Sequence, residues 1–213
     1  MDKKNKIIRL TLLGLMAALL FIMAYTPLGY LNVGPLAITF NVIPIAVAAV
    51  AMGPLGGAVT GGIFGLTSFL QCFGGSALGT ALFGINPALT VVQCFVPRIL
   101  DGLITGLAAD ALASKNTPVP VRCGIAGFLS AFLNTLLYMG GLILLFGNTE
   151  LIMGYREKLA PGKNVFLFVC AFVGINAAAE MCSSTVITSV LGTALSKARL
   201  LPAPANGKKP QFD

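Results

Sequence analysis

The sequence predicts an all-α integral membrane protein of six transmembrane helices with both termini in the cytoplasm. Three observations predict it. Of 213 residues, 56% are apolar and only 10% charged, at a mean hydropathy of +0.90, which leaves too little polar surface for a chain solvated by water. The apolar residues gather into six runs, about 7–25, 36–52, 55–73, 87–113, 121–146 and 165–196, each near or above the length that crosses about 30 Å of hydrocarbon. The basic residues are divided unevenly between alternate connections.

The first run follows Lys3, Lys4, Lys6 and Arg9 and extends from Ile7 to Tyr25. It has roughly the 20 residues of a span, longer than the apolar core of a secretory leader. Gly14 and Ala18, with Ala17 and Ala24 nearby, draw a small-residue stripe along it. Such a stripe serves packing within the bundle or, on an outer face, docking of another membrane protein. Thr26-Pro27-Leu28-Gly29 and Gly34-Pro35 then break the chain. Between the second and third runs, Gly53-Pro54 leaves room only for a tight turn, so these two form a hairpin or one is partly re-entrant. Gly53, Gly57, Gly61 and Gly65 recur every four residues and open a groove for close approach of another backbone; simple packing accounts for it.

Gly74-Gly75 and Asn86-Pro87 bound the next connection, Thr117-Pro118-Val119-Pro120 separates the fourth and fifth runs, and a mixed-charge stretch from Asn148 to Asn164 precedes the sixth. The last three runs are long enough to tilt or to project into the headgroups. One domain, 1–201, is expected, with residues 202–213 a disordered cytoplasmic tail. A cytoplasmic N-terminus places Lys3, Lys4, Lys6, Arg9, Lys115, Arg122, Lys197, Arg199, Lys208 and Lys209 inside and leaves Arg156, Lys158 and Lys163 outside, as the positive-inside rule asks. Both ends inside requires an even number of spans. The net charge of +7 is therefore topological, and no nucleic-acid partner is expected, since the cations form no stripe on a soluble face.

Several chemistries are excluded. The chain has no histidine, and Cys72, Cys94, Cys123, Cys170 and Cys182 are too scattered for a paired motif. They read as packed thiols. Zinc sites, histidine relays and histidine-based triads are disfavoured. Gly162-Lys163-Asn164 and Gly207-Lys208-Lys209 lack the spacing and the hydroxyl of a phosphate loop. No catalytic residue, metal or cofactor is expected, and any ATP hydrolysis falls to a partner.

What remains is a set of polar groups at membrane depth: Arg98, Asp101, Asn134, Asn176 and Glu180. Charged ones cost roughly 2.5–3.5 kcal/mol each on insertion scales, so they face a bundle interior or a polar ligand. On the fourth run, Gln93 and Pro97 are four apart and Arg98 and Asp101 three apart. Pro97 frees the carbonyl of Gln93. Arg98 either pairs with Asp101 or receives a ligand oxygen on its fork of donors. Asn134 and Tyr138 share a face of the fifth run, as Asn176 and Glu180 share one of the sixth. The three faces can converge on one cavity. Two acids against one arginine leave one acid in excess, so Glu180 either stays neutral or seals an interhelical contact.

The stretches Phe40-Asn41-Val42-Ile43-Pro44, Gly53-Pro54-Leu55-Gly56-Gly57-Ala58-Val59-Thr60-Gly61, Asn86-Pro87 and Phe95-Val96-Pro97-Arg98 resemble the substrate-binding S components of energy-coupling factor (ECF) vitamin transporters, most nearly their pantothenate-type branch. The resemblance covers nearly the whole chain and implies the S-component fold, in a multi-pass protein of the bacterial cell membrane. It implies high-affinity vitamin capture outside, then association with an ECF transmembrane coupling subunit and two ECF ATPase subunits, and toppling to release the ligand inside. Gly14 and Ala18, with Ala17, match the family's docking face, although the usual first alanine is glycine here. The segments from about Pro27 to Thr39 and from about Gly74 to Pro87 match its lids. For pantothenate, with one carboxylate, one amide and two hydroxyls, Arg98 would take the carboxylate with help from Asn134. Gln71, Gln93, Asn86, Tyr138, Asn176 and Glu180 are candidates for the other polar groups, and Phe40 for the apolar wall. Another vitamin, such as riboflavin, folate or thiamine, and a free-standing secondary transporter are the alternatives. The absence of an internal repeat counts against the latter. An embedded CDP-alcohol phosphotransferase is disfavoured, because Asp101-Gly102 and Asp110 lack the remaining acids and arginine that metal and phosphate need.

Overall fold

The structure is a computed structural model and describes residues 3–26, 30–33, 36–159, 164–198 and 200–201; the tail expected at 202–213 lies outside these residues. In chain order come α1 (Lys3–Tyr25), β1 (Tyr30–Val33), β2 (Leu36–Thr39), α2 (Val42–Gln71), α3 (Ala77–Ile85), α4 (Pro87–Ser114), α5 (Val119–Phe146), α6 (Glu150–Leu159) and α7 (Val165–Lys197). Among the described residues, five helical stretches are long and apolar enough to cross a membrane: Ile7–Tyr25, Val42–Gln71, Pro87–Ser114, Val119–Phe146 and Asn176–Lys197.

The second and third apolar runs are joined in α2, which breaks at Gly53 (φ 75°, ψ −162°) just before Pro54. The positive φ suits glycine, and the ring of Pro54 starts a new helical segment without needing a donor. The break is a reversal. A Cβ built on Gly57 would lie 3.1 Å from the Cβ of Ala49, whereas eight residues of straight helix separate such atoms by about 12 Å. The leg before the turn is short, about 16 Å for Val42–Met52, and residues 41–51 are buried on every side. A helix apolar all round is what an interior position requires.

The expected helix at 36–52 is corrected at its start, while the fold stays all-α in class. Residues 36–39 are the second strand of an antiparallel ribbon, Tyr30 facing Thr39 and Val33 facing Leu36. Ile38 and Thr39 are β-branched and favour extended backbone, while Pro44 falls in the first turn of α2, where its missing N–H costs nothing. Two connections also contain helices. Ser76 caps α3, its Oγ accepting from the Gly79 N–H at 3.2 Å. The mixed-charge stretch contains α6, whose Ile152 and Tyr155 join the apolar cluster that includes Leu142 and Phe146 of α5 while Arg156, Glu157 and Lys158 face outward; its charges hide its apolar face from a reading by hydropathy. Within α7, Gly174 (φ 47°, ψ −136°) interrupts the helix, so the sixth run does not cross as one rod.

The glycine stripe faces α4. A Cβ on Gly57 would overlap the carbonyl of Gly102, one on Gly61 the carbonyl of Arg98, and one on Gly65 would come within 2.9 Å of the Cys94 carbonyl. At Gly53 the same atom would meet the Asp110 carboxylate at 3.1 Å. The leg after the turn therefore runs antiparallel along α4 with backbones touching. Between α5 and α7, small and hydroxylated residues do similar work: Ser184 Oγ donates to the Gly127 carbonyl at 2.9 Å and Ser189 Oγ to that of Pro120 at 2.9 Å.

Candidate functional site

The polar faces of α4, α5 and α7 meet in one cavity of about 790 Å³. Residues of α4 enter it at four-residue intervals, Thr90, Cys94 and Arg98, with Gln93 beside them. The leg of α2 after the turn contributes Phe64, Ser68, Gln71 and Cys72; α5 contributes Asn134, Thr135, Tyr138 and Met139; α7 contributes Asn176, Ala177 and Glu180. The ends of α1 and β2 and the N-terminal half of α3 border it at Thr26, Thr39 and Leu78.

Arg98, 8% exposed, is held by its own helix. Its Nη1 donates to the Gln93 carbonyl at 2.6 Å. That carbonyl is the one Pro97 leaves without its helical donor. The guanidinium lies over the ring of Tyr138, Cζ to centroid 4.5 Å, and near that of Phe64 at 5.3 Å, which favours a cation in an otherwise apolar wall. Asp101 has other partners: Ser130 Oγ donates to it at 2.9 Å and Thr105 Oγ1 at 3.1 Å. Among the described residues no ion pair joins Arg98 to Asp101. Asp101 sits outside the cavity lining and ties α4 to α5.

The amides are partly committed to holding the walls together. Gln93 Nε2 donates to the Tyr138 carbonyl at 2.7 Å, bridging α4 and α5, and its Oε1 lies where a side chain on Gly141 would go. Gln71 Nε2 donates to the Ala24 carbonyl at 2.6 Å, fastening α2 to the end of α1. Asn134 Nδ2 donates to Glu180 Oε1 at 3.4 Å, so Glu180 does seal an interhelical contact. Three buried atoms here have no protein partner: Arg98 Nε, Gln93 Oε1 and Asn134 Oδ1. All three belong to side chains of residues that line the chamber.

Of the residues singled out from sequence, Arg98, Asn134, Gln71, Gln93, Tyr138, Asn176 and Glu180 line the cavity, and Asn86 and Phe40 do not. Asn86 caps α4, its Oδ1 accepting from the Leu89 N–H at 3.1 Å, and Phe40 packs on the core around Ile43 and Val47. Sequence reasoning missed Ser68, Cys72, Thr90, Cys94 and Thr135. Ser68, Thr90 and Cys94 stand three or four residues from Gln71, Gln93 and Arg98, and Thr135 three from Tyr138, and that helical spacing was the available signal; Cys72 stands four from Ser68. Cys72 and Cys94 bring their sulfurs to 3.9 Å, packed thiols on the cavity wall. On α1, Gly14 and Ala18 are exposed and Ala17 is half-buried, with nothing within 4 Å of a Cβ placed at Gly14.

Residues 8–192 match the family described as "ECF transporter, substrate-specific component". The pantothenate transporter PanT of Leuconostoc mesenteroides is 31% identical over 178 residues, 81% of each chain. The pantothenic acid transporter PanT of Lactococcus lactis is 23% identical over 208 residues, 92% of this chain and 98% of the relative.

Proposed function

This chain belongs to the family of ECF transporter substrate-specific components, a membrane substrate-capture subunit and not itself an enzyme, and on that premise we propose that it captures pantothenate. One observation carries the choice: among the described residues the cavity lining holds a single arginine, seated on two aromatic faces and a backbone carbonyl, amid amides, hydroxyls and the carboxyl of Glu180. Pantothenate needs one cation for its carboxylate and several hydrogen-bonding groups for its amide and hydroxyls. Arg98 takes the carboxylate, with Asn134 beside it, and Gln93, Gln71, Tyr138, Asn176 and Glu180 are placed for the rest. Both curated relatives carry pantothenate in their names. A volume of about 790 Å³ lies in the range of small-ligand pockets, about 300–1,000 Å³.

The reversal at Gly53 gives α2 two legs, the first of which, about 16 Å, reaches roughly halfway through the hydrocarbon. Counted as two legs, α2 joins α1, α4, α5 and α7 in an even set, and the basic residues then place both termini inside. The ribbon and α3 stand at the mouth as lids. A transmembrane coupling subunit and two ATPase subunits supply the energy this chain has no motif to harvest. The α1 face at Gly14 and Ala18 receives the coupling subunit. Gly14→Leu and Ala18→Leu are expected to leave pantothenate binding unchanged and to reduce ATP-dependent uptake to background; uptake at the wild-type rate in vesicles with all subunits would move the docking face elsewhere.

Equilibrium binding to the purified chain in detergent tests the ligand directly. Pantothenate is expected to bind tightly without any partner protein, and riboflavin, folate, thiamine and biotin weakly or not at all. Tight binding of one of those instead overturns the pantothenate reading while keeping the capture role.

A further inference from the structure

The same arginine shows how its aim is fixed. A proline inside a helix costs a hydrogen bond and about 3 kcal/mol, and α4 carries Pro97 in its middle, directly before Arg98. Proline has no N–H, so the carbonyl four residues back, that of Gln93, has no helical donor. That carbonyl accepts from Arg98 Nη1 at 2.6 Å. The Gln93 side chain is fixed too, by the Tyr138 carbonyl at 2.7 Å, and the ring of Tyr138 lies 4.5 Å beneath the guanidinium. Gly61 of α2 admits the Arg98 carbonyl into backbone contact, fixing where the arginine starts.

We infer that Pro97 is a positioning residue for substrate selectivity: by leaving the Gln93 carbonyl open it seats the Arg98 guanidinium over Tyr138 and aims its remaining donors at a carboxylate in the cavity. The inference rests on the reading of Arg98 as the carboxylate's partner. Any other residue at position 97 restores an N–H, which competes with Arg98 for the same carbonyl. The guanidinium then keeps its charge and loses its fixed direction.

The experiment compares pantothenate with panthenol, which has an alcohol in place of the carboxylate, on wild type, Pro97→Ala and Pro97→Gly in detergent. Wild type is expected to prefer the acid strongly. Both variants are expected to lose about ten- to a hundredfold of that preference, the worth of a hydrogen bond to a charged group, with panthenol affinity unchanged. A role in folding alone would weaken both ligands together. Both substitutions restore a helical hydrogen bond, and panthenol binding itself reports a folded cavity. If both variants keep the wild-type preference, or weaken both ligands equally, the role of Pro97 is overturned and that of Arg98 stands. If wild type does not distinguish acid from alcohol, the reading of Arg98 falls first.

Discussion

Arg98→Ala is expected to abolish pantothenate capture while leaving the chain folded. Truncating one side of a buried, hydrogen-bonded charge pair costs about 2–5 kcal/mol, roughly thirtyfold to several thousandfold in affinity, and within the described cavity lining Arg98 is the only cationic side chain. The fold is expected to survive, because Arg98 forms no ion pair with Asp101, which keeps Ser130 and Thr105 as partners. Truncation does remove the donor to the Gln93 carbonyl. Gln93 lines the cavity, so water there can satisfy the orphan. Titration calorimetry with pantothenate and a thermal melt of the same preparation read both halves. Binding at wild-type affinity would show that the carboxylate is received elsewhere in the cavity. Arg98→Lys refines the result. A lysine supplies the charge without the fork and cannot hold the Gln93 carbonyl and a bidentate carboxylate in one plane, so it is expected to recover only part of the affinity.

The site was more legible in the sequence than the fold's detail, for a physical reason. A polar side chain in a long apolar run has few tolerable positions, so Arg98, Asn134, Asn176 and Glu180 announced an interior face whatever the exact helix ends. Pro97 announced the open carbonyl of Gln93 in the same way. Asn86 was misplaced because asparagine before proline serves equally as a cap, and only the hydrogen bond to Leu89 distinguishes the roles. Phe40 was misplaced because an aromatic at a helix entrance faces core or ligand with the same composition. The neutral members of the lining, such as Thr90 and Cys94, carry no cost that marks them. Hydropathy also cannot tell a helix from an extended segment at Leu36–Thr39. It measures burial and not backbone direction.

Gly102→Leu is expected to have the largest effect on the fold itself. The carbonyl of Gly57 occupies the place a Cβ on Gly102 would take, and the carbonyl of Gly102 occupies the place of one on Gly57. Neither obstacle is a side chain that can rotate away. Separating the two backbones would also lift α4 from Gly61 and Gly65, which meet it at Arg98 and Cys94, so one substitution strains the whole antiparallel contact. Overpacking of a well-packed site costs about 1–3 kcal/mol and more where the backbone must move. A chain of this size then loses roughly 10 °C in melting temperature or fails to accumulate. Gly62→Ala is the matched control, because its Cβ would meet Ile99 at an ordinary 3.8 Å and alanine favours helix over glycine by about 1 kcal/mol. The yield of monodisperse protein and its melting temperature are expected to fall for Gly102→Leu and to hold for Gly62→Ala. Equal behaviour of the two would mean that α2 and α4 do not touch through their backbones. Arg98 would then have to be fixed by Gln93 and Tyr138 without the glycine contact behind it.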